Sequence, residues 1–138
     1  MTESAFALDG DITELGRLAD EVARFCRENQ LGVDVEFDLN VALDELFTNA
    51  VRHGGCHGLE RAAGVFLQFT GGEVEVLYSD RGEPFDPTTA PEADLEKVFG
   101  EPPAGGLGLH LLRGLMQDIR YERAGEWNRV TMRRKVEA

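Results

Sequence analysis

The 138 residues contain only two cysteines, Cys26 and Cys56. That is too few for a disulfide framework and points to a reducing compartment. Long apolar runs are also missing: no segment approaches the roughly 20 apolar residues that a membrane span requires. The start, Met1-Thr2-Glu3-Ser4, lacks a basic stretch followed by an apolar one, so no export signal is expected and the location is expected to be cytoplasmic. Basic residues are scarce, with 14 Lys and Arg against 26 Asp and Glu and a formal charge of −12. A nucleic-acid surface is thereby disfavoured, because phosphate binding needs clustered Lys and Arg. An acidic chain can still hold a nucleotide through backbone N–H groups and a divalent metal. Proline is rare and confined, since all five (Pro84, Pro87, Pro91, Pro102, Pro103) fall between residues 84 and 103.

What is present is a globular composition, 42% apolar and 29% charged, without repeats or low-complexity tracts. A chain of this length fits one domain, expected over residues 1–138, burying about two thirds of its unfolded surface. Ser4 to Leu8 alternates weakly and reads as an edge strand. Asp11, with Glu14 three residues on, is a plausible N-cap. Ile12, Leu15, Leu18, Ala19, Val22, Phe25 and Cys26 repeat at helical spacing, which makes Cys26 a core residue. A second helix, capped by Asp38 or Asn40 and ended by Gly54-Gly55, carries Leu39, Leu43, Leu46, Phe47 and Ala50 on one stripe.

Val65 to Thr70 and Glu73 to Tyr78, joined by Gly71-Gly72, have the pattern of a β-hairpin. Asp80 to Gly106 is irregular, and so long a stretch in a compact domain reads as a functional loop or lid. Helical spacing resumes at Leu109, Leu112, Leu115 and Met116. Ile119 to Arg123 and Val130 to Val136 suggest a last hairpin around Ala124-Gly125-Glu126. The expected fold is α/β: a two-layer sandwich with a mixed, mostly antiparallel sheet and helices on one face.

Three polar boxes interrupt these elements. Glu45 and Asn49 are i, i+4 on the second helix, about 40° apart around its axis at the border of the buried stripe. There a carboxylate can act as a base and an amide oxygen as a hard-cation ligand; a solvated Glu and a surface Asn are the plain alternative. Asp80-Arg81-Gly82 follows a strand, where an Asp can accept a hydrogen bond from an exocyclic amine and a glycine admits a flat ring; an ordinary turn is the alternative. Gly105-Gly106-Leu107-Gly108-Leu109 runs into a helix, whose free N–H groups favour an anion. It is neither a Walker sequence nor a Gly-x-Gly-x-x-Gly on a strand, and alone it could be a flexible turn. His53, Cys56 and His57 crowd together, but no fourth Cys or His follows at a zinc-finger spacing, so a zinc site is not expected.

In this order and context the boxes resemble the ATP-binding domain (Bergerat fold) shared by gyrase, Hsp90, sensor histidine kinases and MutL. They resemble more closely the bacterial anti-sigma-factor serine/threonine kinases. The segments Glu45 to Gly54, Ser79 to Pro87 and Gly105 to Leu112 carry the likeness, which continues through Leu115 to Tyr121 and Asn128 to Met132.

The resemblance implies that Asn49 coordinates Mg²⁺ on the phosphates of ATP and that Glu45 is the general base for a Ser or Thr hydroxyl. It implies that Asp80 binds the adenine amino group, with Gly82 shaping the base pocket and Thr131 supporting it from the last strand. Gly105, Gly106, Leu107, Gly108 and Leu109 would cradle the phosphates under a lid over about 83–105. Arg52 and His53 would face phosphate, or else be a surface Arg and a packed His. The implied function is phosphorylation of an anti-anti-sigma (STAS-type) antagonist and sequestration of a sigma factor by a homodimer, with no direct nucleic-acid or membrane contact. A nucleotide-gated binding module, or an ATPase without a protein acceptor, is the alternative. A sensor histidine kinase is disfavoured, because 138 residues leave no room for a phosphoacceptor helix pair.

Overall fold

The computed structural model describes residues 2–91 and 107–137. Strand β1 (Glu3–Leu8) leads through a single 3-10 turn (Ile12–Glu14) into α1 (Leu15–Glu28) and α2 (Val33–Arg52). The hairpin β2 (Ala63–Thr70) and β3 (Glu73–Asp80) follows, and then α3 (Leu107–Leu115), β4 (Gln117–Ala124) and β5 (Trp127–Lys135). The five strands form one antiparallel sheet in the order β1-β2-β3-β5-β4. The helices cover one face: Val65, Leu67, Val74, Val76, Tyr78, Val130 and Met132 of the strands share a core with Leu18, Val22 and Phe25 of α1, Leu39, Leu43 and Phe47 of α2 and Leu112 of α3.

The stripe expected on α2 is all buried, with Leu39, Leu43 and Phe47 at 0% exposure and Leu46 and Ala50 at 3% and 6%. Each such large apolar side chain contributes about 1.5–3 kcal/mol on burial. Cys26 is a core residue of α1. Asp11 does cap, but it caps the 3-10 turn that leads into α1: Asp11 Oδ1 accepts from Thr13 N at 2.9 Å, while Glu14 at the N-cap of α1 makes no side-chain cap bond. Glu14, however, reaches back to Asp9 N (3.0 Å) instead of to the cap residue.

The beginning of α2 differs from the sequence expectation. The helix starts at Val33 with Gly32 at the N-cap, which has no side-chain cap bond. Asp38 and Asn40 therefore lie inside the helix, and neither caps it. Asp38 is 9% exposed because its Oδ2 accepts from Arg134 Nε of β5 at 2.7 Å. A buried carboxylate matched by a guanidinium 96 residues away looks locally like a cap, because short acidic side chains usually favour helix ends. Asp34 and Glu36 in the first turn instead complement the helix dipole.

The β2–β3 hairpin closes as expected through Gly71 (φ 60°) and Gly72 (φ 76°), both in the left-handed region that a two-residue I′-type turn needs. β4 begins two residues earlier than its apolar pattern suggests. Asp118, at φ 50°, lies where the pairing with β5 shifts between Gln117 and Arg120, a bulge that a short polar residue tolerates.

Candidate functional site

The C-terminal half of α2 brings the first box together. Glu45 and Asn49 are half-buried, and Asn49 Nδ2 donates to Glu45 Oε1 at 3.3 Å. A carboxylate only accepts, so this bond fixes the amide and turns Asn49 Oδ1 away as a free oxygen ligand. The first turn of α3 closes on the same carboxylate. A Cβ at Gly108 would lie 2.3 Å from Glu45 Oε2, so glycine there lets the helix end and the carboxylate meet. Leu109 is buried at 2% exposure, anchoring that turn in the protein. Gly105 and Gly106 lie outside the described residues, and Leu107 enters only as the first residue of α3.

Asp80 ends β3 on the helix-covered side, 6% exposed. Its Oδ1 accepts from Gly82 N at 2.8 Å and from Asn128 Nδ2 at 2.9 Å. Neither bond uses Oδ2, which remains as an acceptor. A Cβ at Gly82 would stand 3.0 Å from Asp80 Oδ1, 3.4 Å from Gly54 O and 3.5 Å from Cys56 Sγ. Gly82 is thus held close by the chain's own carboxylate and by the end of α2. The two boxes share this corner: Gly54 N donates to Asn49 O (2.9 Å), and Gly54 O accepts from Glu83 N (2.9 Å).

Sequence reasoning missed the residue that completes this end. Asn128 of β5, 3% exposed, pairs with Asp80 in the sheet register. Thr131 cannot take the supporting role expected of it. It pairs with Leu77, and three residues from Asn128 along a strand it points to the other face of the sheet, where it is exposed. The correction is one of strand parity: the helix-facing positions of β5 are Asn128, Val130 and Met132, all buried. An asparagine inside a strand, a context that disfavours it, is the signal that could have found Asn128.

The remaining candidates are peripheral. Arg52 and His53 are exposed at the end of α2, where His53 N caps the helix by donating to the carbonyls of Asn49 and Ala50. No hydrogen bond among the described residues links either side chain to Glu45 or Asn49. Cys56 is completely buried, and burial pushes its thiol up to about 11. It forms a buried wall behind Gly82, where a raised thiol is a poor nucleophile. No group of three or more His, Cys, Asp or Glu side chains able to hold a metal occurs among the described residues. The described part of the expected lid, up to Pro91, is tied down. Arg113 of α3 donates to Pro87 O (2.8 Å) and Ala90 O (2.6 Å), and Asp86 Oδ1 accepts from Thr88 N at 2.8 Å.

Two buried groups beside these boxes carry unusual electrostatics. The Tyr78 hydroxyl is fully buried beside Asp80 without a well-formed hydrogen bond, and burial, followed by the charge of Asp80 and its close side-chain contact, holds its ionisation well above the ordinary value. Burial raises Asp44, next to Glu45, to about 6, and its Oδ1 is likewise unpartnered.

A half-buried Glu–Asn pair thus lies against a helix N-terminus and is joined through the end of α2 to a buried aspartate on a strand end. The family model described as a histidine kinase-like ATPase domain matches residues 8–134.

This chain belongs to that family.

Within it, the chain is similar to the serine/threonine-protein kinase BtrW of Bordetella bronchiseptica, 33% identical over 98 residues that make up 71% of this chain and 69% of that protein. It is similar to the serine-protein kinase RsbW of Oceanobacillus iheyensis, 31% identical over 67% of this chain and 62% of the relative. These relatives place it among the serine/threonine-protein kinases of the family. The fold matches that of a solved structure of the RsbU and RsbW domains of a Mycobacterium tuberculosis protein, with a TM-score of 0.72 and 18% identity over 98% of this chain and 32% of that one. No helix among the described residues is long and apolar enough to cross a membrane.

Proposed function

We propose that this protein transfers the terminal phosphoryl group of ATP to a Ser or Thr of an anti-anti-sigma (STAS-type) antagonist, and that it sequesters a sigma factor when not so engaged. The observation that carries this reading is the Glu45–Asn49 pair. One bond between them leaves Asn49 Oδ1 and Glu45 Oε2 without a hydrogen bond among the described residues, Oε2 lying against Gly108. Phosphoryl transfer asks a protein mainly for positioning and charge neutralisation; this pair would position a base and hold the cation that neutralises the phosphates.

Asn49 Oδ1 suits Mg²⁺, an oxygen-liganded ion that is usually held by one or two protein groups together with substrate phosphates and water. When bound, Mg²⁺ neutralises charge on those phosphates. Glu45 accepts the proton of the incoming hydroxyl at its free oxygen. The N-terminus of α3, with Gly108 and Leu109, offers N–H groups to the phosphates. Asp80 Oδ2 accepts from the adenine amino group. Arg52 and His53, exposed at the mouth of α2, contact phosphate only if they turn toward it on binding. A cytoplasmic homodimer is the working form consistent with this reading.

The direct test incubates the protein with Mg-ATP labelled at the terminal phosphate and each candidate antagonist. Label on one antagonist, lost when Glu45 is replaced by alanine while ATP binding persists, is the expected result. Partner capture that survives Glu45→Ala, with no transfer to any candidate, would identify a nucleotide-gated binding module instead.

A further inference from the structure

We propose that Asn128 sets the purine specificity of the site by fixing Asp80 as a pure acceptor; this rests on the ATP-site reading above. Asn128 uses both ends of its amide. Its oxygen accepts from Tyr121 Oη at 2.6 Å, Arg123 Nη1 at 3.2 Å and Phe85 N at 3.3 Å. Its nitrogen donates to Asp80 Oδ1 at 2.9 Å, Glu83 O at 2.8 Å and Gly82 O at 3.3 Å. Three donors face one end and three acceptors the other. Flipping the amide would set N–H against N–H and O–H on one side and oxygen against oxygen on the other, so the network permits a single orientation.

That orientation has a consequence for recognition. Asp80 Oδ1 is taken by Asn128 and by Gly82 N, so the carboxylate cannot rotate to offer both oxygens. A carboxylate has no O–H to donate, so what Asp80 offers a base is an acceptor only. A base presenting an amine opposite Oδ2 is accepted; one presenting a carbonyl sets oxygen against oxygen and leaves a buried acceptor unpaired. Adenine carries an amine at its 6-position, and hypoxanthine and guanine carry a carbonyl there. Arg123 tightens the arrangement by donating from Nη1 to Gly82 O at 2.7 Å as well, so β4, β5 and the loop after β3 hold the carboxylate together. Asn128 is therefore a positioning residue acting through Asp80.

The test compares Mg-ATP with Mg-ITP, which differ at that edge of the base, by calorimetry on the full chain. The native protein is expected to bind ATP at least tenfold more tightly than ITP. Asn128→Asp replaces the donor with a second carboxyl beside Asp80; the pair must share a proton, and a protonated carboxyl can donate to a carbonyl. The ATP-to-ITP preference should then shrink at least tenfold and vary with pH between about 5 and 8. Asn128→Ser removes the bridging amide without adding charge and should narrow the preference about threefold. A scaffold-only role would weaken both nucleotides by one factor. An unchanged ratio in folded Asn128→Asp overturns the proposal; if that variant does not fold, an unchanged ratio in Asn128→Ser does so. A native protein that binds neither nucleotide overturns the ATP-site reading and this proposal with it, whereas ATP preference that survives both variants overturns the role of Asn128 alone.

Discussion

The two ends of the site are built to different standards of rigidity. At the base end, Asp80 and Asn128 are 6% and 3% exposed, and their side chains are locked by bonds of 2.6–3.3 Å from three elements. At the catalytic end, Glu45 and Asn49 are half-buried and share one bond of 3.3 Å. Buried polar groups in low dielectric are costly unless fully satisfied, so a recognition pocket formed by the chain itself tends toward completeness. In the roles proposed for Glu45 and Asn49, a base and a metal ligand must keep unused oxygens for substrates. Their incompleteness agrees with that proposal, and it should be visible in how each end responds to change.

The largest expected effect breaks the catalytic end alone. Glu45→Gln preserves shape and hydrogen bonding to Asn49 but cannot take a proton; labelled transfer should fall on the order of 10²–10⁴-fold, with the ATP dissociation constant within a factor of about three. Asp80→Ala breaks the other end: it should weaken ATP by on the order of tenfold or more and lower stability by about 1–3 kcal/mol, since Asn128 Nδ2 and Gly82 N lose a buried acceptor. Denaturant unfolding and calorimetry measure the two parts separately.

A sharper contrast comes from the same substitution at the two glycines. Alanine at Gly82 meets a fixed carboxylate at 3.0 Å and a backbone carbonyl at 3.4 Å, so it should cost about 1–3 kcal/mol of stability. Alanine at Gly108 meets Oε2, Cδ and Cγ of the Glu45 side chain and no backbone, and that side chain can change rotamer for about 1.5 kcal/mol or less. Its effect should appear mainly in transfer rate, as a displaced base. Equal stability losses at the two positions would erase the distinction between a rigid end and an adaptable one.

The smallest effect lies beside the catalytic end. Asp44 titrates near 6 in the folded chain because burial raises it from 3.8. Between about pH 4 and 6 the folded state then binds more protons than the unfolded one, so this group's contribution to stability falls as pH rises through that window and is flat above it. Asp44→Asn should remove the decline and stabilise the protein by about 1 kcal/mol at pH 8, a modest value because the side chain is only half-buried. Urea unfolding at pH 4 and pH 8 checks both.

Much of the fold could be read from local pattern. The stripe on α2, the Gly71-Gly72 turn and the last hairpin follow from periods of 3.6 and 2 and from turn chemistry, and each recurs in the structure with ends moved by a few residues. Asp38 was legible only as a cap, because the Arg134 that satisfies it lies on β5. The sequence pattern points to Thr131 as the partner of Asp80, whereas Asn128 is the residue of β5 that bonds it. Counting along one strand does not reveal which of its faces a neighbouring strand presents.

By itself, the sequence determined the elements and the closeness of Glu45 to Asn49, because both depend on short-range geometry: an i, i+4 spacing on a helix leaves little choice. It also determined the glycines at 82 and 108, although not what they approach. Tertiary structure alone decided that Gly108 faces Glu45, that Asp80 pairs with Asn128 across 48 residues, and that Thr131 points away. Those outcomes depend on strand register and helix packing, where a shift of one residue exchanges the two faces of a sheet.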